Sequence, residues 1–89
     1  MTSEARPLNV DVLGEQIPVK YVPFAILQCW GQASYLPGKV LIEIASEATG
    51  KRLETTIFHE RLEMALYMIG FDGDERTKEQ VICVAERLL

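Results

Sequence analysis

Leu8, Val10 and Val12 alternate with Asn9 and Asp11, the two-residue period of a strand with one buried face. Gly14-Glu15-Gln16 reads as a turn and Ile17 to Val22 as a second strand, so the pair predicts a hairpin. Pro18 has no N–H to offer a ladder, which pushes this second strand toward a sheet edge. Pro23 opens an apolar stretch, Phe24 to Trp30, that fits either one helical turn or the approach to a strand. Gln32 to Tyr35 is strand-like. In Leu36-Pro37-Gly38-Lys39, proline supplies the fixed φ of a turn and glycine its positive φ. Val40, Ile42 and Ile44 then line one face of a further strand, with Leu41, Glu43 and Ala45 on the other. Ser46 to Gly50 ends that alternation.

From about Lys51 to Ile69 the period becomes 3.6. Phe58, Leu62, Ala65, Leu66 and Ile69 share roughly 100° of arc, while Leu53, Ile57, Met64 and Met68 make a second apolar arc on another side. Between the arcs runs a polar strip of Thr56, His59, Glu60, Glu63 and Tyr67, and a second polar sector carries Glu54 and Arg61. Gly70 is placed to end the helix, and Asp72-Gly73-Asp74 is loop without the twelve-residue pattern of a calcium site. Thr77 with Gln80 three residues on fits a capping box, opening a last helix to Leu89 that buries Val81, Val84, Ala85 and Leu88. Glu79, Cys83 and Glu86 share its opposite face. These elements predict an α+β domain: a small antiparallel sheet of three to four strands packed against two helices. The 89 residues suit a single domain, 1–89, with residues 1–6 frayed.

Composition narrows the partners. With 48% hydrophobic and 25% charged residues the chain is an ordinary globular one, and no apolar run approaches the ~18 residues of a membrane span. A net charge of −4 argues against a nucleic-acid backbone or an anionic membrane and leaves a peptide or protein partner; nothing in it speaks to oligomeric state. The start lacks the basic-then-apolar order of an export signal, so the cytoplasm is the expected compartment, with Cys29 and Cys83 reduced. Cys83 is expected as a small core residue, Trp30 as a core anchor, and Met64 and Met68 as core filling.

The one histidine, His59, begins His59-Glu60-Arg61-Leu62-Glu63, the spacing of the HExxH zinc motif with Glu in place of the second His. Ligands at i and i+4 on a helix point the same way and can hold one ion, while the residue at i+1 leans over an open coordination position. A carboxylate there can act as general base toward bound water. The carboxylate of Glu63 neutralises more of the metal charge than an imidazole does, and bound water becomes less acidic. Ten glutamates in 89 positions give Glu at both +1 and +4 by chance about once in eighty histidines, and the plain alternative is a solvated helix face.

Three runs add context: Trp30-Gly31-Gln32-Ala33-Ser34-Tyr35, Val40-Leu41-Ile42-Glu43-Ile44 and Glu54-Thr55-Thr56-Ile57-Phe58-His59-Glu60. Together they resemble a group of very small phage-associated proteins that look like minimal zincin metallopeptidases, loosely related to the ImmA/IrrE type. That group shows Trp-Gly, a tyrosine, a strand of alternating Ile or Val, and a helix reading roughly Glu-Thr-Leu-Leu-His-Glu-x-x-His-Ala-Leu. Glu54 to Leu66 matches this helix except at Glu63, and the resemblance covers about Trp30 to Leu66. It implies a zincin-like fold, a zinc ion bound by His59 and Glu63, and Glu60 as general base. It also implies a third ligand from the last loop or helix: Glu79, with Glu75 and Glu86 as alternatives. Lys78 occupies a position where a ligand could also be expected, which counts against an intact site.

Two functions follow. One is a small metallopeptidase-like protein that binds a divalent metal and hydrolyses peptide bonds, either an enzyme or a degenerate relative of one. The alternative is a phage-type, non-catalytic protein-binding module or inhibitor that docks on a host or phage protein in the cytoplasm of a bacterial or infected cell.

Overall fold

A computed structural model describes residues 6–70 and 73–86, apart from the side chains of Val84 and Glu86. The alternating segments form β1 (Asn9–Val12), β2 (Glu15–Val22), β3 (Gly31–Leu36) and β4 (Lys39–Ala45). The remaining elements are a single helical turn α1 (Phe24–Leu27), the long helix α2 (Gly50–Met68) and α3 (Glu75–Glu86). The sheet runs β1-β2-β4-β3, so the α+β expectation holds.

Its pairing departs from an all-antiparallel sheet. β1 with β2 and β3 with β4 are antiparallel, but β2 and β4 are parallel. The chain leaves β2 through α1, lays β3 on the outside, and returns through the Pro37-Gly38 turn as β4. β4 therefore enters beside β2 in the same direction. Pro18 does not put β2 at an edge. Its pairing with β4 begins at Val19, one residue later, so the missing N–H falls where β2 bonds only to β1. The first turn lies at Leu13 and Gly14, both at positive φ (51° and 86°), the backbone of a type I′ hairpin, and β2 starts at Glu15. A third helical element, the turn α1, was one of the two options for the stretch after Pro23; the backbone N–H of Phe24 donates to Glu47 Oε1 at 2.9 Å.

One face of the sheet is apolar. Register sets Val19, Ile42 and Ala33 in one row and Tyr21, Ile44 and Gly31 in the next. With Val12, Ile17, Ala48, Leu53 and Met64 these rows make the core, and α2 packs over β1, β3 and β4. Of the segment 1–6 expected to fray, only Arg6 is among the described residues, and its guanidinium donates to the carbonyls of Ser46 (2.8 Å) and Ala48 (3.3 Å).

The helices turn different faces inward than their apolar residues suggest. On α2 the buried line is Leu53, Thr56, Glu60 and Met64, so part of the polar strip faces the sheet, and Ile69 of the first apolar arc is 65% exposed. On α3 the buried residues are Lys78 and Ile82, one turn apart, while Val81 is 45% exposed and Cys83 is exposed rather than in the core. Leu88 and the side chain of Val84 lie outside the described residues. α3 also starts earlier than a Thr77 cap requires, because Asp74 Oδ1 accepts the Thr77 N–H at 2.8 Å. Among the described residues no helix is long and apolar enough to cross a membrane.

Candidate metal centre

α2 fixes three side chains at i, i+1 and i+4: His59, Glu60 and Glu63. α3 lies against α2 and brings Glu79 to the same place. His59 Nε2 stands 3.7 Å from Glu63 Oε2 and 3.8 Å from Glu79 Oε2. One donor atom from each of the three residues lies within 4.8 Å of the others. Donors around a tetrahedral zinc with bonds of about 2.1 Å stand about 3.4 Å apart, so this is a slightly expanded ligand set that small rotamer changes would close. Two carboxylates and an imidazole nitrogen also suit a divalent cation in charge. The residues could hold a metal ion. The side chains of His59 and Glu63 are 27% and 18% exposed and that of Glu79 is 47% exposed, which leaves one side of the cluster open.

Behind Glu63 sits a network that spacing alone did not reveal. Tyr67 O–H, one turn further along α2, donates to Glu63 Oε1 at 2.9 Å. Lys78 Nζ donates to Tyr67 Oη at 3.0 Å and to Glu75 Oε1 at 2.9 Å, and stands 3.8 Å from Glu63 Oε1. Glu63 thus uses one oxygen on this network and turns the other toward His59. Burial opposes the charge on Lys78, but its bonds to Glu75 and Tyr67 and the charge of Glu63 outweigh that and hold its ammonium above the ordinary range. On Tyr67 the bond from Lys78 lowers the phenol's pKa, and burial together with Glu63 raises it by more. Lys78 therefore stands behind the cluster and braces Glu63, one of its three converging side chains. The partners at i+4 (Tyr67 from Glu63) and i+3 (Lys78 from Glu75) were legible as helical spacings, and only the meeting of the two helices links them.

Glu60 points elsewhere, toward the sheet, and is 5% exposed. It packs over Gly31, where a Cβ would lie 2.6 Å from Thr56 Cγ2 and 2.9 Å from both Cγ and Oε2 of Glu60. Glycine at this inward row of β3 is what admits a carboxylate between helix and sheet. Glu60 and His59 together line an open cavity of about 270 Å³, whose other walls are Trp30, Gly31, Arg52, Thr55 and Thr56. Trp30 is 36% exposed, so it is a wall of this cavity rather than a core anchor. Burial, with the nearby charge of Glu60, pushes the Cys29 thiol up.

The structure brings together His59, Glu63 and Glu79, the three residues expected as ligands. Glu75 is engaged by Lys78 instead, Cys83 is outside the cluster, and the side chain of Glu86 lies outside the described residues. No protein-family model, curated protein or solved structure matches the chain.

Proposed function

We propose that the protein is a small zincin-like metallopeptidase of the phage-associated kind its motifs resemble, working in the cytoplasm. His59 Nε2, Glu63 Oε2 and Glu79 Oε2 hold one zinc ion, which when bound supplies a Lewis acid to polarise a peptide carbonyl and to acidify water. Glu60, which lines the cavity that borders His59, would take the proton from the attacking water and pass it to the leaving nitrogen. Tyr67 and Lys78 hold Glu63 so that a single oxygen faces the ion. The observation that carries this reading is the convergence of three donors from two helices within 4.8 Å.

The test is one variant, Glu60→Gln, assayed beside the native protein on a panel of unstructured peptides. Glu60→Gln keeps the metal and loses hydrolysis; equal cleavage by Glu60→Gln and the native protein overturns the role of Glu60. A second reading is favoured by one observation: Glu63 already accepts from Tyr67 and faces Lys78, so the cluster is satisfied with no ion present. On that reading the domain is a non-catalytic protein-binding module, and added zinc leaves its melting temperature unchanged.

A further inference from the structure

The cavity beside His59 has two unlike ends. At one lie His59 and the carboxylate of Glu60; at the other, Arg52 lies with its guanidinium carbon 4.7 Å from the centre of the Trp30 ring. Among the described residues that stacking is the one interaction the Arg52 side chain makes, so its fork of N–H donors is oriented toward the cavity wall without a carboxylate partner. Nothing in the fold requires the charge there. Arg52 sits in the first turn of α2, which holds no acidic residue, and a cation in a first turn opposes the helix dipole. Stacking on Trp30 offsets that cost without leaving a clear gain in stability. The guanidinium is thus an exposed cation on a cavity wall in a chain of net charge −4.

We propose that Arg52, seated on Trp30, binds a carboxylate of the peptide ligand by a bidentate contact and so sets which peptides the cavity accepts. Seven residues of α2 separate Arg52 from His59, about 10 Å along the helix axis. About three residues of extended chain cover that length, so the selected carboxylate lies two to three residues from the bond facing His59. The carboxylate comes from an acidic side chain or from the chain terminus; both present the same planar pair of oxygens. The position of the scissile bond rests on the zinc-peptidase reading, whereas the contact with Arg52 does not.

Trp30 is the single tryptophan and therefore reports on this cavity alone. Four tetrapeptides, carrying Glu or Gln at the second position with a free or an amidated C-terminus, are titrated into the intact chain in chelator and in zinc, reading Trp30 emission. Peptides with a carboxylate bind at least about tenfold more tightly than the amidated Gln peptide. Arg52→Gln abolishes the difference and Arg52→Lys keeps part of it, with circular dichroism confirming that both fold. Preference for Glu in the amidated pair assigns the side chain, and preference confined to free ends assigns the terminus. Equal binding of all four peptides, or a preference that survives Arg52→Gln, overturns the proposal. The preference persists in chelator, so a failure of zinc to bind would overturn the metal reading and leave this one standing.

Discussion

The two helices that build the candidate centre are held to the molecule by different forces. α2 lies on the sheet through Leu53 and Met64, which belong to the core, and Arg61 Nε ties it to the Asp11 carbonyl at 3.0 Å. α3 lies on α2 and buries Ile82 together with a charged residue, Lys78, whose partners are Tyr67 and Glu75. The donors on α2 are thus set by apolar packing, whereas Glu79 is set by polar docking between helices. Packing of this kind is insensitive to ions and pH. A polar joint responds to both, and it is the joint across which a metal would be gripped.

Truncations at the two anchors should separate these roles most strongly. Met64→Ala and Ile82→Ala each remove a fully buried side chain and should cost about 2–5 kcal/mol. For Met64→Ala the loss should appear as a lower denaturation midpoint for the whole domain. For Ile82→Ala amide exchange should speed up chiefly within α3, with the α2 amides keeping their protection. Equal loss of protection in both helices would mean that α3 belongs to the same cooperative unit as the sheet.

Gly31→Ala probes the close approach of β3 and α2. Its methyl group meets Thr56 and Glu60 at under 3 Å, so overpacking should cost about 1–3 kcal/mol and displace Glu60 while sparing the His59 cluster. Zinc affinity should hold and peptide hydrolysis should fall. Tyr67→Phe keeps the ring and removes one hydrogen bond to Glu63, for a smaller cost of about 0.5–1.5 kcal/mol. Zinc binding measured by calorimetry should weaken by about tenfold, the effect of losing a group that orients a ligand.

The polar joint also has a pH signature. The folded pKa of Lys78 is raised above the ordinary 10.5, so its contribution is complete below that value and is lost as pH rises through the folded one. Tyr67, raised above 10.0, acts in the same direction because the folded state keeps a proton that the unfolded state has released. Denaturant midpoints should be flat for these groups near neutrality and fall on the alkaline side. Lys78→Met should make that fall shallower.

Much of this architecture was legible because its signals are local. Pro37-Gly38 marks the hairpin, the isoleucines of β4 mark its buried face, and His59 and Glu63 share a helix face wherever the helix packs. Glu79 was expected only through the family resemblance, with Glu75 and Glu86 as alternatives, and it is the meeting of α2 and α3 that brings it to His59. The parallel pairing of β2 and β4 was hidden because it joins segments twenty-three residues apart in register (Val19 to Ile42) and leaves no local trace. The inward faces of the helices were hidden for another reason. Periodicity counts apolar residues, yet α2 buries Thr56 and Glu60 over a glycine, and α3 buries Lys78 because acids and a phenol await it. Long-range complementarity, rather than hydrophobicity, selects those faces.

The central claim is that three donors on two helices close on one ion. Anomalous diffraction at the zinc edge, from crystals of the chain grown with one equivalent of zinc, tests it directly. The account predicts a single strong peak about 2.0–2.2 Å from His59 Nε2, Glu63 Oε2 and Glu79 Oε2. A peak on other residues, or a cluster still bridged by its own ion pairs with no anomalous density, would contradict it.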